Sequence, residues 1–156
     1  MVIYQKKLKE NIKELINENR LRAAKELLKK YEEIVKDDID IYSIKSIIAM
    51  MEGDMDEAEK MLKEGLILDR ENFNLAYNLA YLYQSLNQKE LAIKYYKKAL
   101  QNVKNESDAD EIYEILIKLG VQESKNKIIN SKIPKTSIVI LTYNNLEYNK
   151  MCIESI

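Results

Sequence analysis

The stretch Phe73–Leu100 reads FNLAYNLAYLYQSLNQKELAIKYYKKAL. Ala76, Leu79, Ala80 and Tyr83 fall at i, i+3, i+4 and i+7, which is one face of a helix. Leu91, Ala92, Tyr95, Tyr96, Ala99 and Leu100 give a second helix a broad apolar face. Ser85-Leu86-Asn87-Gln88 separates them. Asn accepts the left-handed backbone that a reversal between antiparallel helices needs. The stretch is therefore a helical hairpin.

Working outward, the same hairpin recurs at a step of 34 residues. Asn19, Gly53 and Asn87 share that spacing, as do Ala24, Ala58 and Ala92. Leu28, Leu62 and Tyr96 follow it, Gly65 pairs with Ala99, Leu66 with Leu100, and Ser46 with Ala80. In the second unit Ile41, Ile44, Ile48 and Met51 form the first stripe and Gly53-Asp54 the turn, with Asp54 and Glu57 opening the next helix. The first unit carries Leu8, Ile12 and Leu15, then Asn19, then Ala24, Leu27, Leu28 and Tyr31. Gly65 inside a helix costs about 1 kcal/mol relative to Ala, so a close helix crossing is expected there. Units of about 5–38, 39–72 and 73–106 result. Residues 107–133 read as capping helices, with Ser107 and Asp110 as a capping-box start, Ile112, Ile115, Leu116 and Leu119 as the apolar stripe, and Gly120 as the stop.

This pattern resembles the tetratricopeptide (TPR) repeat, through Asn78-Leu79-Ala80, Tyr83, Asn87, Ala92, Tyr96 and Ala99-Leu100. The resemblance spans roughly residues 5–106 and implies an all-α array of helical hairpins in a right-handed superhelix. Departures are Lys45 at a usually large apolar position, Tyr31-Glu32 where Ala-Leu is usual, and Arg70 where a Pro often closes the repeat. The degenerate first unit fits an end cap, whose outer face meets water.

Composition agrees with this class. With Gly 3 and Pro 1 among 156 residues, the turns of a β-sandwich or barrel are hard to supply. Lys+Arg 25 against Asp+Glu 26 removes a general drive towards nucleic acid or anionic membrane. His 0 and Cys 1 exclude a His-based triad, a Cys/His zinc site and an internal disulfide. No signal-like leader or membrane-length apolar run is present, and the chain reads as cytoplasmic. The acids between Glu52 and Glu71 read as a hydrated helix surface, not a metal site.

The period changes at Pro134. Ser137-Ile138-Val139-Ile140-Leu141 has the composition of a buried strand, Thr142-Tyr143-Asn144-Asn145 that of a turn, and Leu146–Ile156 helical spacing. Strand, loop and helix open a βαβ unit, so residues 134–156 read as the truncated start of an α/β domain. The segment from Ser137 to Asn145, with Cys152-Ile153-Glu154-Ser155-Ile156, resembles the start of a family 2 glycosyltransferase. That resemblance implies a GT-A domain in which Thr142, Tyr143 and Asn144 lie against a nucleotide-sugar donor. It places the metal site and the catalytic base, with the divalent metal, beyond residue 156. No catalytic residue and no cofactor are expected within the 156 residues themselves.

The TPR resemblance also implies a groove lined by the first helix of each unit. By register the third unit offers Asn74, Tyr77, Asn78, Tyr81 and Gln84, the second Asp40, Ser43, Ile47 and Met50, and the first Lys6, Lys9 and Lys13. Tyr supplies contact area with a polar tip, and Asn pairs with peptide backbone. Net charge alternates along the chain, +4 over 1–36, −7 over 37–72 and +3 over 73–106, which suits docking of units or of a second copy. The expected function is a protein or peptide-binding scaffold module of a glycosyltransferase-like protein. The alternative is a stand-alone TPR adaptor.

Overall fold

The computed structural model describes residues 2–121. Seven helices follow one another among them: α1 (Val2–Asn17), α2 (Leu21–Ile34), α3 (Asp40–Glu52), α4 (Met55–Leu68), α5 (Phe73–Ser85), α6 (Lys89–Leu100) and α7 (Glu106–Lys118). They pair as the hairpins α1/α2, α3/α4 and α5/α6, with α7 packed beside α6. The expected strand at 137–141, the loop Thr142, Tyr143, Asn144 and the helices after residue 121 lie outside the described residues.

The turns follow the 34-residue step. Asn19 (φ 57°), Gly53 (φ 84°) and Asn87 (φ 57°) all hold the left-handed conformation, and Gly120 (φ 83°) does so 33 residues beyond Asn87. Each turn carries the same pair of backbone bonds. Arg20 N–H donates to Leu15 O and Asn19 N–H to Ile16 O. Asp54 to Ala49 with Gly53 to Met50, and Gln88 to Tyr83 with Asn87 to Gln84, repeat it. Val121 to Leu116 with Gly120 to Ile117 completes the set. This Schellman arrangement satisfies carbonyls that the helix end would otherwise leave unpaired. The helix α7 thus ends as the first helix of each hairpin does, which makes it the first helix of a fourth unit.

The N-termini are capped by side chains. Asp54 accepts from Glu57 N–H at 3.0 Å, and Asn72 from Leu75 N–H at 3.1 Å. The start of α7 differs from expectation: Asn105, not Ser107, is the cap, accepting from Asp108 N–H at 2.8 Å. Its Nδ2 donates to the Asp108 carboxylate at 2.8 Å, so Asn105 meets both partners and Ser107 falls inside the first turn.

The core is built from the expected stripes, with two exceptions. Leu8, Ile12, Ala24, Leu28, Ile41, Ile44, Ile48, Ala76, Leu79, Ala80, Tyr83, Ala92, Tyr96, Ala99, Ile112 and Leu116 are buried. Met51 and Leu91 are exposed. Gly65 marks a close crossing as expected: a methyl group there would sit 2.7 Å from Leu75 Cδ1 and 2.9 Å from Tyr42 Cβ. Ala99 on α6, buried, stands at the same step as Gly65 on α4. The first unit places Tyr31 at the same step, buried, with its hydroxyl donating to Asp38. A cleft of about 420 Å³ opens where α2 faces α3 and α4, floored by Leu28, Ile48, Ala49 and Met61. Lys45, the departure noted above, reaches across it to Glu32, as Lys25 does to Glu52.

Candidate peptide-binding face

The first helices of successive hairpins are tied side by side by polar bonds. Lys9 on α1 pairs with Asp40 at the start of α3 at 2.8 Å and with Asp38 just before it. Asn78 Nδ2 on α5 donates to Ser43 Oγ on α3 at 2.8 Å. Tyr77 on α5 donates to Glu111 on α7 at 2.6 Å. These bonds put α1, α3, α5 and α7 on one face of the array.

The bonds also divide the expected groove residues into two groups. Tyr77 and Asn78 are half-buried and bonded to adjoining units, and Gln84, though exposed, is tied to the fold because its Oε1 accepts from Tyr96 at 2.7 Å. Asn74 and Tyr81 point outward, and Tyr81 is 54% exposed. In the second unit Ser43 is buried and bonded, Asp40 is paired, and Ile47 and Met50 are half-buried. In the first, Lys6 and Lys13 are exposed while Lys9 is committed to the seam. Among the described residues, Lys6 meets Glu10, at 4.0 Å.

Three residues join the site that the sequence reading does not place in the groove: Phe73, Tyr96 and Glu111. Phe73 and Tyr96 build an aromatic chain with Tyr77, at centroid distances of 5.9 Å and 5.6 Å, the second pair edge-on. Glu111 closes it from α7. Read as part of the capping helices 107–133, Glu111 carries no groove signal in the sequence, although it stands 34 residues beyond Tyr77.

The electrostatics fix the protonation of these groups. Burial, then the Glu111 carboxylate, raises the Tyr77 phenol well above its ordinary value. Tyr96 is pushed up to about 12 by burial, then by Tyr81 and Glu111. Tyr83 is pushed up to about 12 by burial and by its bond to Glu59 at 2.6 Å. All three stay neutral donors. At the first seam burial alone would lower Lys9 and raise Asp38. Their mutual bonds, with the Tyr31 hydroxyl and Asp40 N–H on Asp38, reverse both trends.

No group of three or more metal-ligating side chains occurs among the described residues. The acids of 52–71 take other partners: Asp54 caps α4, Glu57 pairs with Lys60, Glu59 with Lys63 and Tyr83, and Asp69 holds Asn72. None of the helices among the described residues is long and apolar enough to cross a membrane.

A tetratricopeptide repeat is found at residues 49–114, from the end of α3 into α7. No curated protein matches the chain. Repeats of this family suggest protein–protein interaction, and the match includes the two outward groove residues Asn74 and Tyr81.

Proposed function

We propose that the chain is a protein-interaction module that holds a peptide segment of its partner on the face made by α1, α3, α5 and α7. The observation that carries this reading is Tyr81. It is a large side chain left 54% exposed on the shared face, while its neighbours Tyr77 and Asn78 are fixed beneath it by bonds to adjoining units. A rigid frame with an exposed aromatic is how such faces gain contact area at small entropic cost.

Screening a peptide library against the 156-residue chain tests it. Ligands selected by the wild type should lose binding to Tyr81→Ala and Asn74→Ala, with circular dichroism unchanged. Equal binding to both variants would refute the face.

The finer proposal concerns what the module serves. The resemblance of Ser137–Asn145 to a family 2 glycosyltransferase supports a scaffold that brings a partner or acceptor to a nucleotide-sugar-dependent transferase domain. Thr142, Tyr143 and Asn144 would then touch the donor, and a divalent metal would be held by residues after 156. Sequencing the gene past codon 156 tests this: an Asp-x-Asp segment downstream supports it, and an immediate stop codon leaves a stand-alone adaptor.

A further inference from the structure

The shared face is electrically polar from one end to the other. Rows of residues 34 apart cross the first three of these helices: Lys6, Asp40, Asn74; then Lys9, Ser43, Tyr77; then Lys13, Ile47, Tyr81. The helix α1 contributes only lysines to these rows. The helix α7, whose turn glycine and buried stripe stand 33 residues beyond those of α5, brings the Glu111 carboxylate to Tyr77. Between them stand uncharged groups, apart from Asp40, which shares the Lys9 ammonium with Asp38, so that the α1/α3 seam keeps one net negative charge and leaves Lys6 and Lys13 as the cations of that end.

Each end is also shaped. At α1 a shallow cavity of about 380 Å³ is lined by Gln5, Lys6, Lys9, Glu10, Lys13 and Tyr31. Lys6 and Lys13 are exposed there, and Glu10 is the carboxylate within reach of Lys6, at 4.0 Å. At the other end the Tyr77 hydroxyl meets Glu111 at 2.6 Å, Tyr77 lies edge-on to Tyr96, and Tyr81 stands open beside them. Aromatic faces next to a carboxylate attract a cationic side chain twice, by charge and by the ring quadrupole.

We propose, resting on the peptide-binding reading above, that this face selects an extended peptide segment by charge polarity: acidic residues on Lys6 and Lys13 of α1, an apolar middle along Ile47 and Tyr81, and a basic residue at Tyr81 and Glu111. Three steps between neighbouring helices of roughly 8–10 Å each span about 30 Å. An extended chain covers that in about nine residues.

The test is fluorescence anisotropy of the full chain with labelled peptides. One carries two aspartates at one end, alternating Ala and Leu in the middle and two lysines at the other end. Its isomer interleaves the same charges. The block peptide should bind about tenfold more tightly, as a few exposed charge pairs allow, and the preference should shrink in salt. The double variant Lys6→Glu, Lys13→Glu should lose the block peptide and gain one with lysines at both ends. Glu111→Lys should gain a peptide with aspartates at both ends. Glu111→Gln keeps the bond to Tyr77 and should weaken the block peptide without changing thermal stability.

Equal binding of the block and interleaved peptides would overturn the polarity. If Tyr81→Ala then weakened both, the peptide-binding face itself would stand. Binding of neither peptide would overturn the polarity, and library ligands insensitive to Tyr81 would remove the face as well. Self-association abolished by Lys6→Glu, Lys13→Glu would identify the occupant as a second copy of the chain and overturn the proposal.

Discussion

Asn19, Gly53, Asn87 and Gly120 show how much one residue can decide. Each takes a positive φ, where a Cβ-bearing residue other than Asn is strained. Asn87→Ala should cost about 1–2 kcal/mol for that reason, while Asn87→Gly should be near neutral. Denaturant melts of the two variants check this. Gly65→Ala runs against local propensity. Alanine favours helix by about 1 kcal/mol, but its methyl would meet Tyr42 Cβ at 2.9 Å, an atom with no freedom to turn aside. Net destabilisation of about 1–3 kcal/mol is expected, the usual cost of overpacking. A stabilised Gly65→Ala would mean that α4 and α5 separate readily. Both effects were legible in the sequence, because turn chemistry and a glycine in mid-helix are local signals. The exposure of Met51 and Leu91 was not. Helical spacing names a face but not the edge at which the neighbouring helix stops covering it.

At the scale of elements, the caps and the seams differ in how they could be read. Asn105 and Ser107 are both good cap residues, and only the backbone shows which N–H is met. Asn105→Ala should cost about 1 kcal/mol and Ser107→Ala very little. The first seam depends on residues far apart in the chain. Tyr31 occupies the step that Gly65 and Ala99 occupy later, and a network of Lys9, Asp38, Asp40 and Tyr31 replaces the close crossing. Asp38 titrates below its ordinary value because its bonds to Lys9, Tyr31 and the Asp40 N–H outweigh burial. Its contribution is therefore fully present above the unfolded value of about 3.9 and fades as pH falls through the folded one. Lys9 is raised, so its contribution is complete at neutral pH and is lost only in strong alkali. The melting temperature of wild type should exceed that of Asp38→Asn at neutral pH. The gap should begin to narrow as pH falls below the unfolded value of about 3.9 and close only below the lowered folded one. A gap independent of pH would show that the carboxylate does not hold the seam.

At the scale of the molecule, three hairpins and α7 make one array whose first helices share a face. The repeat step announced this architecture, since a period of 34 residues fixes both the turns and the rows that cross the helices. It did not show which groove residues the fold consumes. Asn78 and Ser43 are each ordinary polar residues until their 2.8 Å bond is seen, and Glu111 matters only once α7 counts as a fourth first helix. The claim on which the rest turns is that this face holds a peptide with its acidic end at α1. Backbone amide shifts recorded by NMR during titration with the charge-block peptide test it most directly. The expected changes fall on residues 6–13, 43–50, 74–84 and 108–115. Changes confined to α2, α4 and α6 would contradict it.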